Sequence, residues 1–320
     1  MIQVQNLTKR YGPRTAIDDL NFEVSRGEIV GFLGPNGAGK STTMKILTAF
    51  MQASEGTAKV AGFDVFESPL EVKRNIGFLP ETPPVYTEMS VEDYLSFATR
   101  LHGIESSRIQ ACVDTAIEKT GLGDVRRRLI GNLSKGYRQR VGIAQAIAHN
   151  PQVLILDEPT VGLDPRQIIE IRKLIKGLAG DHTIILSTHI LPEVTATCDR
   201  VIVINKGRIA AQDSLDALTT KVQKGRNYQL VLRNPSNDGL AAIRSIPGIK
   251  SVSEADIAGG KPSDSKNETR FTVEMLPEAG DLRDKIIEAA FTHRMGLLEF
   301  AREKMSLEEI YVRLTTEESL

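Results

Sequence analysis

Apolar positions in the first 33 residues come in strand-sized pieces broken at Gly12-Pro13 and Arg26-Gly27, ending in the apolar segment Ile29-Val30-Gly31-Phe32-Leu33. That pattern predicts short strands separated by turns, with a glycine-rich loop and a helix directly behind. From Ser90 to His149 the spacing changes. Val91, Tyr94, Leu95, Ala98 and Leu101 recur at three and four residues, as do Val113, Ile117 and, across a turn, Leu122. This is the helical period, and it predicts an inserted helical subdomain over about 90–149. Val153-Leu154-Ile155-Leu156 and Thr183-Ile184-Ile185-Leu186 are continuous apolar runs flanking a helix-like stretch, 165–179. Runs of that kind predict buried parallel strands in a βαβ unit. Val201–Ile204 and Arg208–Ala211, hinged at Lys206-Gly207, predict a closing hairpin, and a first domain is expected over 1–222.

The remainder, 223–320, alternates strand (Tyr228–Leu232), helix (238–246), strand (249–254), strand (270–275), helix (280–291) and strand (296–301). The βαββαβ order predicts a small α+β, ferredoxin-like domain. Gly259–Asn267 reads as a polar loop tip. Leu307, Ile310, Tyr311 and Leu314 share one face of a final helix expected to pack back on the protein.

With 320 residues, 41% of them hydrophobic, the chain can bury cores for two domains. A formal net charge of -1 gives no global pull toward nucleic acid or anionic lipid, and no nucleic acid is expected as a partner. Cys112 and Cys198 lie far apart and outside any CxxC spacing, which argues against a disulfide framework or a zinc site and fits a reducing cytosol. No apolar run reaches the roughly 18 residues that span a bilayer, so the chain is not expected to cross a membrane by itself.

The candidate chemistry follows the apolar strands. Gly34-Pro35-Asn36-Gly37-Ala38-Gly39-Lys40-Ser41 fits GxxxxGK[ST] between a strand and a helix, the context of a phosphate-binding loop. Its backbone N–H groups can cradle phosphates, Lys40 adds a fixed cation, and the helix turns its positive end toward the anion. Ser41 is expected to ligate Mg²⁺ and Thr42 to support the phosphates. Asp157 and Glu158 close the strand Leu154-Ile155-Leu156, at the end where a doubly wound sheet binds its ligand. Asp157 is assigned to Mg²⁺, and Glu158 to orienting or deprotonating the attacking water. His102, His149, His182 and His293 show no ligand spacing and read as structural. Arg126-Arg127-Arg128 reads as a solvated face.

Leu133-Ser134-Lys135-Gly136-Tyr137-Arg138-Gln139-Arg140 resembles the signature of the ABC (ATP-binding cassette) ATPases, and the likeness covers roughly residues 1–220. It implies an α/β P-loop fold with an antiparallel β subdomain and a helical insert, and a head-to-tail dimer with two ATPs at its interface. On that resemblance Ser134 and the Gly136 amide cap the γ-phosphate of ATP bound to the opposite subunit. Tyr11 stacks on adenine, Asp164 signals across the dimer, and His189 is the γ-phosphate switch. Two departures stand out. Ile76-Gly77-Phe78-Leu79-Pro80-Glu81 carries Glu81 where most members place a Mg²⁺-ligating Gln; Glu81 can ligate Mg²⁺ as well, and would repel a metal-free γ-phosphate. Lys135 and Tyr137 replace the usual Gly and Gln of the signature.

The Leu-Pro-Glu variant, the signature and Met305–Tyr311 resemble ABC-2-type exporter ATPases of the gliding-motility-associated group. That implies a second ABC subunit, in a homodimer, and multi-spanning permease subunits that hold the chain at the cytoplasmic face of the membrane. The loop Glu81–Met89 matches the one bordering the groove for a permease coupling helix. The alternative is a soluble ABC ATPase that remodels a protein or nucleic-acid complex; the lack of a long coiled-coil insert and of a basic tract speaks against it. Residues 223–320 could instead bind a regulatory ligand.

Overall fold

The computed structural model describes residues 1–215, 217–218, 226–254, 268–276, 279–302 and 311–312. They fall into two compact units, one containing Met1–Leu215 and one drawn from Asp216–Ile310.

In the first unit β1 (Ile2–Tyr11), β2 (Arg14–Val24), β4 (Glu55–Val60) and β5 (Phe63–Asp64) form an antiparallel sheet in the order β2-β1-β4-β5. β1 and β2 run 10 and 11 residues, longer than the short strands expected. The inside-outside alternation of β1 breaks at Asn6, which sits at φ 49 opposite Asp19 at φ 52. Their register shifts there, and Asn6 Nδ2 donates to Asp19 Oδ1 at 2.8 Å, so β1 continues through a bulge.

A six-stranded sheet forms the centre, with β3 (Ile29–Leu33), β6 (Ile76–Leu79), β7 (Val153–Asp157), β8 (Thr183–Thr188), β9 (Arg200–Asn205) and β10 (Arg208–Ser214) in the order β10-β9-β3-β8-β7-β6. All neighbours are parallel except the edge pair of β9 and β10. Every residue of β3, β7 and β8 is buried, which is why their sequences carry no polar alternation. The register pairs Leu33 with Thr188 and Asp157 with Ser187, so the carboxyl ends of these three strands are level. Helices α1 (Lys40–Leu47), α2 (Pro69–Asn75), α6 (Pro165–Gly177) and α7 (Leu191–Thr197) connect the strands. α7 seats on β3 at Gly31. A Cβ there would lie 2.7 Å from Val194 Cγ1 and 3.1 Å from Cys198 Sγ, so glycine is what lets the helix approach. Burial pushes the Cys198 thiol up to about 12.

The helical insert comprises α3 (Val91–Leu101), α4 (Ser106–Thr120) and α5 (Lys135–Ile147) around a core that includes Leu95, Val113, Ile117 and Val141. Cys112 is half-buried on α4. Arg126 departs from the expected solvated run. Its guanidinium bridges Glu92 of α3 at 2.5 Å and Asp114 of α4 at 2.6 Å, and it holds the Glu92 carboxyl at about 2. The insert meets the sheet through His149, whose ring stacks on His102 at 3.6 Å and whose Nε2 lies 3.0 Å from the Ile76 carbonyl. His182 Nδ1 lies 2.7 Å from the Pro151 carbonyl. Burial, then the neighbouring His102, lowers the His149 pKa to about 4.

The second unit contains β11 (Arg226–Arg233), α8 (Asn237–Arg244), β12 (Ile249–Glu254), β13 (Glu268–Met275), α9 (Arg283–Thr292) and β14 (Gly296–Arg302). Its antiparallel sheet is ordered β12-β13-β11-β14, the ferredoxin-like arrangement, over a core including Leu230, Leu232, Ile243, Phe271, Val273 and Ile286. α9 starts three residues later than its apolar spacing predicts, because Asp281 Oδ1 accepts from the Arg283 N–H at 3.1 Å and turns the chain first. The expected loop tip Gly259–Asn267, and Leu307, Ile310 and Leu314 of the expected final helix, lie outside the described residues. Among the described residues no helix is long and apolar enough to cross a membrane.

Candidate functional site

Three loops leave the level carboxyl ends of β3, β7 and β8 and meet at one cavity of about 630 Å³. The loop after β3 is Gly34–Gly39. Gly37 at φ 80 and Gly39 at φ 110 take left-handed backbone conformations that a side chain resists. A Cβ on Gly39 would also stand 2.6 Å from Ile17 Cγ2 and 2.8 Å from the Ala16 carbonyl, and one on Gly34 would run into the Ile204 carbonyl. The loop is braced from within: Ala38 N donates to the Pro35 carbonyl at 3.2 Å, and Gly207 N donates to the Ala38 carbonyl at 3.0 Å. α1 begins at Lys40 with no side-chain cap, so its first N–H groups are left for a ligand. The buried Lys40 Nζ donates to the Gly34 carbonyl at 2.7 Å and the Pro35 carbonyl at 3.3 Å, and lies 3.5 Å from Glu158 Oε1. A cation held this way is aimed along the loop before any anion enters.

Glu158, buried and at φ 50, is the first residue past β7; its N–H donates to the Ser187 carbonyl at 2.9 Å. Its carboxylate oxygens lie 2.9 and 3.0 Å from His189 Nδ1. A carboxylate flanked by a lysine and a histidine and open to the cavity can orient and deprotonate a water. Asp157, one residue earlier, is buried and accepts from Ser187 Oγ at 2.7 Å.

The cavity wall brings together Tyr11, Asn36, Gly37, Gly39, Lys40, Ser41, Thr42, Glu81, Glu158 and His189. Tyr11 is 44% exposed, with the Lys9 ammonium 5.5 Å over its ring and its hydroxyl 2.9 Å from Met51 Sδ. Arg14 and Val161 also line the wall and were not singled out by sequence. Arg14 had one signal, a basic residue three positions after Tyr11.

Ser134, Gly136 and Asp164 are not on this wall. Ser134 Oγ caps α5 by accepting from the Tyr137 N–H at 3.4 Å, and Asp164 Oδ1 caps α6 by accepting from the Gln167 N–H at 3.0 Å. Gly136 packs so tightly on Gln167 that a Cβ would sit 2.8 Å from Gln167 Cδ, and both residues line a separate hollow with Ser134. The Lys135 ammonium lies over Gly162, where any Cβ would collide with it. The signature is thus a second, distinct cluster on the same unit.

Glu193 escaped the sequence reading altogether. It is buried on α7 and accepts from the Thr160 and Thr188 hydroxyls.

Residues 17–161 match the family model described as ABC transporter. The chain is 37% identical over 236 residues to the bacitracin transport ATP-binding protein BcrA of Bacillus licheniformis, covering 73% of this chain and 76% of that one. It is 32% identical over 303 residues to the daunorubicin resistance ATP-binding protein DrrA3 of Streptomyces coeruleorubidus, covering 92% and 96%. Among solved structures, cbiO1 from Clostridium perfringens, part of the ABC transporter complex cbiONQ, superposes with a TM-score of 0.64 at 30% identity, covering 69% of this chain and 91% of that one. With its phosphate loop, Asp157-Glu158 strand end and signature helix in family order, the chain belongs to the ABC transporter family as one of its ATP-binding, ATP-hydrolysing subunits.

Proposed function

We propose that this chain energises an ABC-2-type exporter, coupling ATP-driven closure of a dimer of cassettes to movement of a separate permease. The observation that carries the reading is the division of the nucleotide machinery into two clusters. The phosphate loop, Tyr11, Glu158 and His189 line one cavity, while Ser134 and Gly136 line another. A site split in this way is completed when the signature of a second copy faces the first cavity, with Ser134 and Gly136 capping the γ-phosphate and Asp164 at the junction. All elements occur in one chain, which supports a homodimer.

Within each site Lys40 and the loop N–H groups hold the phosphates, and Tyr11 stacks on the base. Glu158 takes the proton of the attacking water, and His189, fixed against Glu158, contacts the γ-phosphate. A Mg²⁺ ion entering with ATP would supply charge neutralisation at the phosphates. Ser41, Asp157 and Glu81 would hold it, an all-oxygen donor set that suits a hard cation.

Relatives named for bacitracin transport and daunorubicin resistance support export as the direction. A permease would hold the chain at the cytoplasmic face of the membrane, with the loop Glu81–Met89 as the transmission element and 223–320 as an accessory domain. Affinity purification after mild detergent extraction tests this. A polytopic membrane protein should copurify stoichiometrically, and recovery of soluble partners alone would replace the exporter reading with that of a soluble remodelling ATPase.

A further inference from the structure

Glu193 is a buried ionisable side chain tied to both loops that carry the reacting groups. Its side chain is 1% exposed. Oε1 accepts from the hydroxyl of Thr160, two residues beyond Glu158, and Oε2 accepts from the hydroxyl of Thr188, adjacent to His189, at 2.7 Å. Thr188 Oγ1 in turn accepts from the Ile190 N–H at 3.1 Å, so the chain of bonds runs past His189 on both sides. Neither threonine has another acceptor among the described contacts, and the carboxylate is the shared acceptor between them. Its own helix is immobilised on β3 by the close approach at Gly31. The Glu193 N–H donates to the Ile190 carbonyl at 3.1 Å, which anchors the first turn.

We propose that Glu193 is a positioning residue for ATP hydrolysis, a buried carboxylate clamp that sets the spacing of Glu158 and His189 by holding Thr160 and Thr188 on its two oxygens. The inference rests on Glu158 and His189 being the reacting pair. The physical need is plain. Glu158 sits at φ 50 on a loop, and His189 follows a strand end, so neither side chain is fixed by regular secondary structure of its own. Their 2.9 Å contact depends on two loops keeping register. A carboxylate has two acceptor oxygens on one rigid plane and can bind two hydroxyl donors at once. Buried away from water, each bond is hard to replace, so the clamp is stiff. An ordinary core residue at this position would leave both hydroxyls without an acceptor.

The test is steady-state ATPase kinetics per folded molecule, alongside equilibrium ATP binding and thermal melting, on Glu193→Ala, Glu193→Gln, Thr160→Val and Glu158→Gln. Loss of the clamp misplaces the reacting pair by a fraction of an ångström to an ångström, so Glu193→Ala should lower kcat by about 10- to 100-fold with KM and ATP affinity within about threefold of wild type. Glu193→Gln keeps the length and one acceptor and should recover most of that loss. Thr160→Val, nearly isosteric, should lower kcat in the same sense should Glu193→Ala fail to fold. Wild-type kcat in the folded Ala or Val variant, or equal losses in kcat and ATP affinity, would overturn the proposal. If Glu158→Gln itself turns over normally, the assignment of the reacting pair fails instead, and the two failures are told apart.

Discussion

Replacing Glu158 with Gln changes one atom at the centre of the cavity. The amide keeps the length of the side chain and the left-handed backbone at φ 50, so the fold bears little new strain. It also keeps an oxygen for the contact with His189 Nδ1, now 2.9 Å away. What it loses is the ability to accept a proton. A positioned general base contributes about 10²- to 10⁴-fold, so kcat should fall by that factor, a barrier increase of roughly 3–5 kcal/mol. Binding should move the other way. One negative charge about 5 Å from a phosphate is worth up to roughly 3 kcal/mol of repulsion at an effective dielectric constant of about 20. Lys40, 3.5 Å from the carboxylate, already offsets part of it. The variant should therefore bind ATP more tightly, by up to about tenfold. Phosphate release gives the rate and fluorescent-nucleotide titration the affinity. Size-exclusion chromatography with MgATP should reveal an accumulated dimer. A kcat within about threefold of wild type would remove Glu158 from the role of base.

Two further outcomes follow from the geometry. His149 is held neutral, its pKa lowered from 6.5 to about 4, so the unfolded chain takes up its proton first as pH falls. Stability is fully present above about pH 6.5 and declines toward pH 4, by roughly 3 kcal/mol for this group. His102 and His182, also lowered by burial, act in the same direction. Urea denaturation between these pH values should show the slope, and a slope equally steep in His149→Phe would exclude the imidazole as its source. Gly39→Ala combines φ 110 with a Cβ 2.6 Å from Ile17, whereas Gly12→Ala at φ 57 meets nothing within 4 Å. Gly12→Ala should cost about 1 kcal/mol of strain, and Gly39→Ala considerably more together with ATP binding. Equal melting-temperature losses in the two variants would refute the clash.

The phosphate loop was legible because its chemistry is local: eight consecutive residues fix both backbone and charge, and the apolar strand before them sets their place. Asp157-Glu158 was legible because it ends a fully buried strand, whereas His189 was named only through the family resemblance, and the sheet register brings its strand end level with theirs. The bulge at Asn6, which moves the buried face of β1 by one residue, has no counterpart in the sequence reading, because it depends on Asp19 of the neighbouring strand. Arg126 looked like one of three solvated charges; its two carboxylate partners lie 34 and 12 residues earlier, beyond any local pattern. Glu193 was invisible for a similar reason. Its meaning depends on Thr160, Thr188 and α7 meeting, and an acidic residue in a helix's first turn ordinarily reads as favourable charge and nothing more.

The close seat of α7 on β3 has a practical consequence for spectroscopy. A thiol pushed up to about 12 holds almost no thiolate at neutral pH, and Cys198 is wedged against Gly31, where there is no room for an attached probe. Cys112, half-buried on α4, is the other cysteine of the pair in the sequence. The unmodified chain therefore offers one maleimide site, on the helical insert, and a spin label placed there would follow the insert through the ATPase cycle without any engineered substitution.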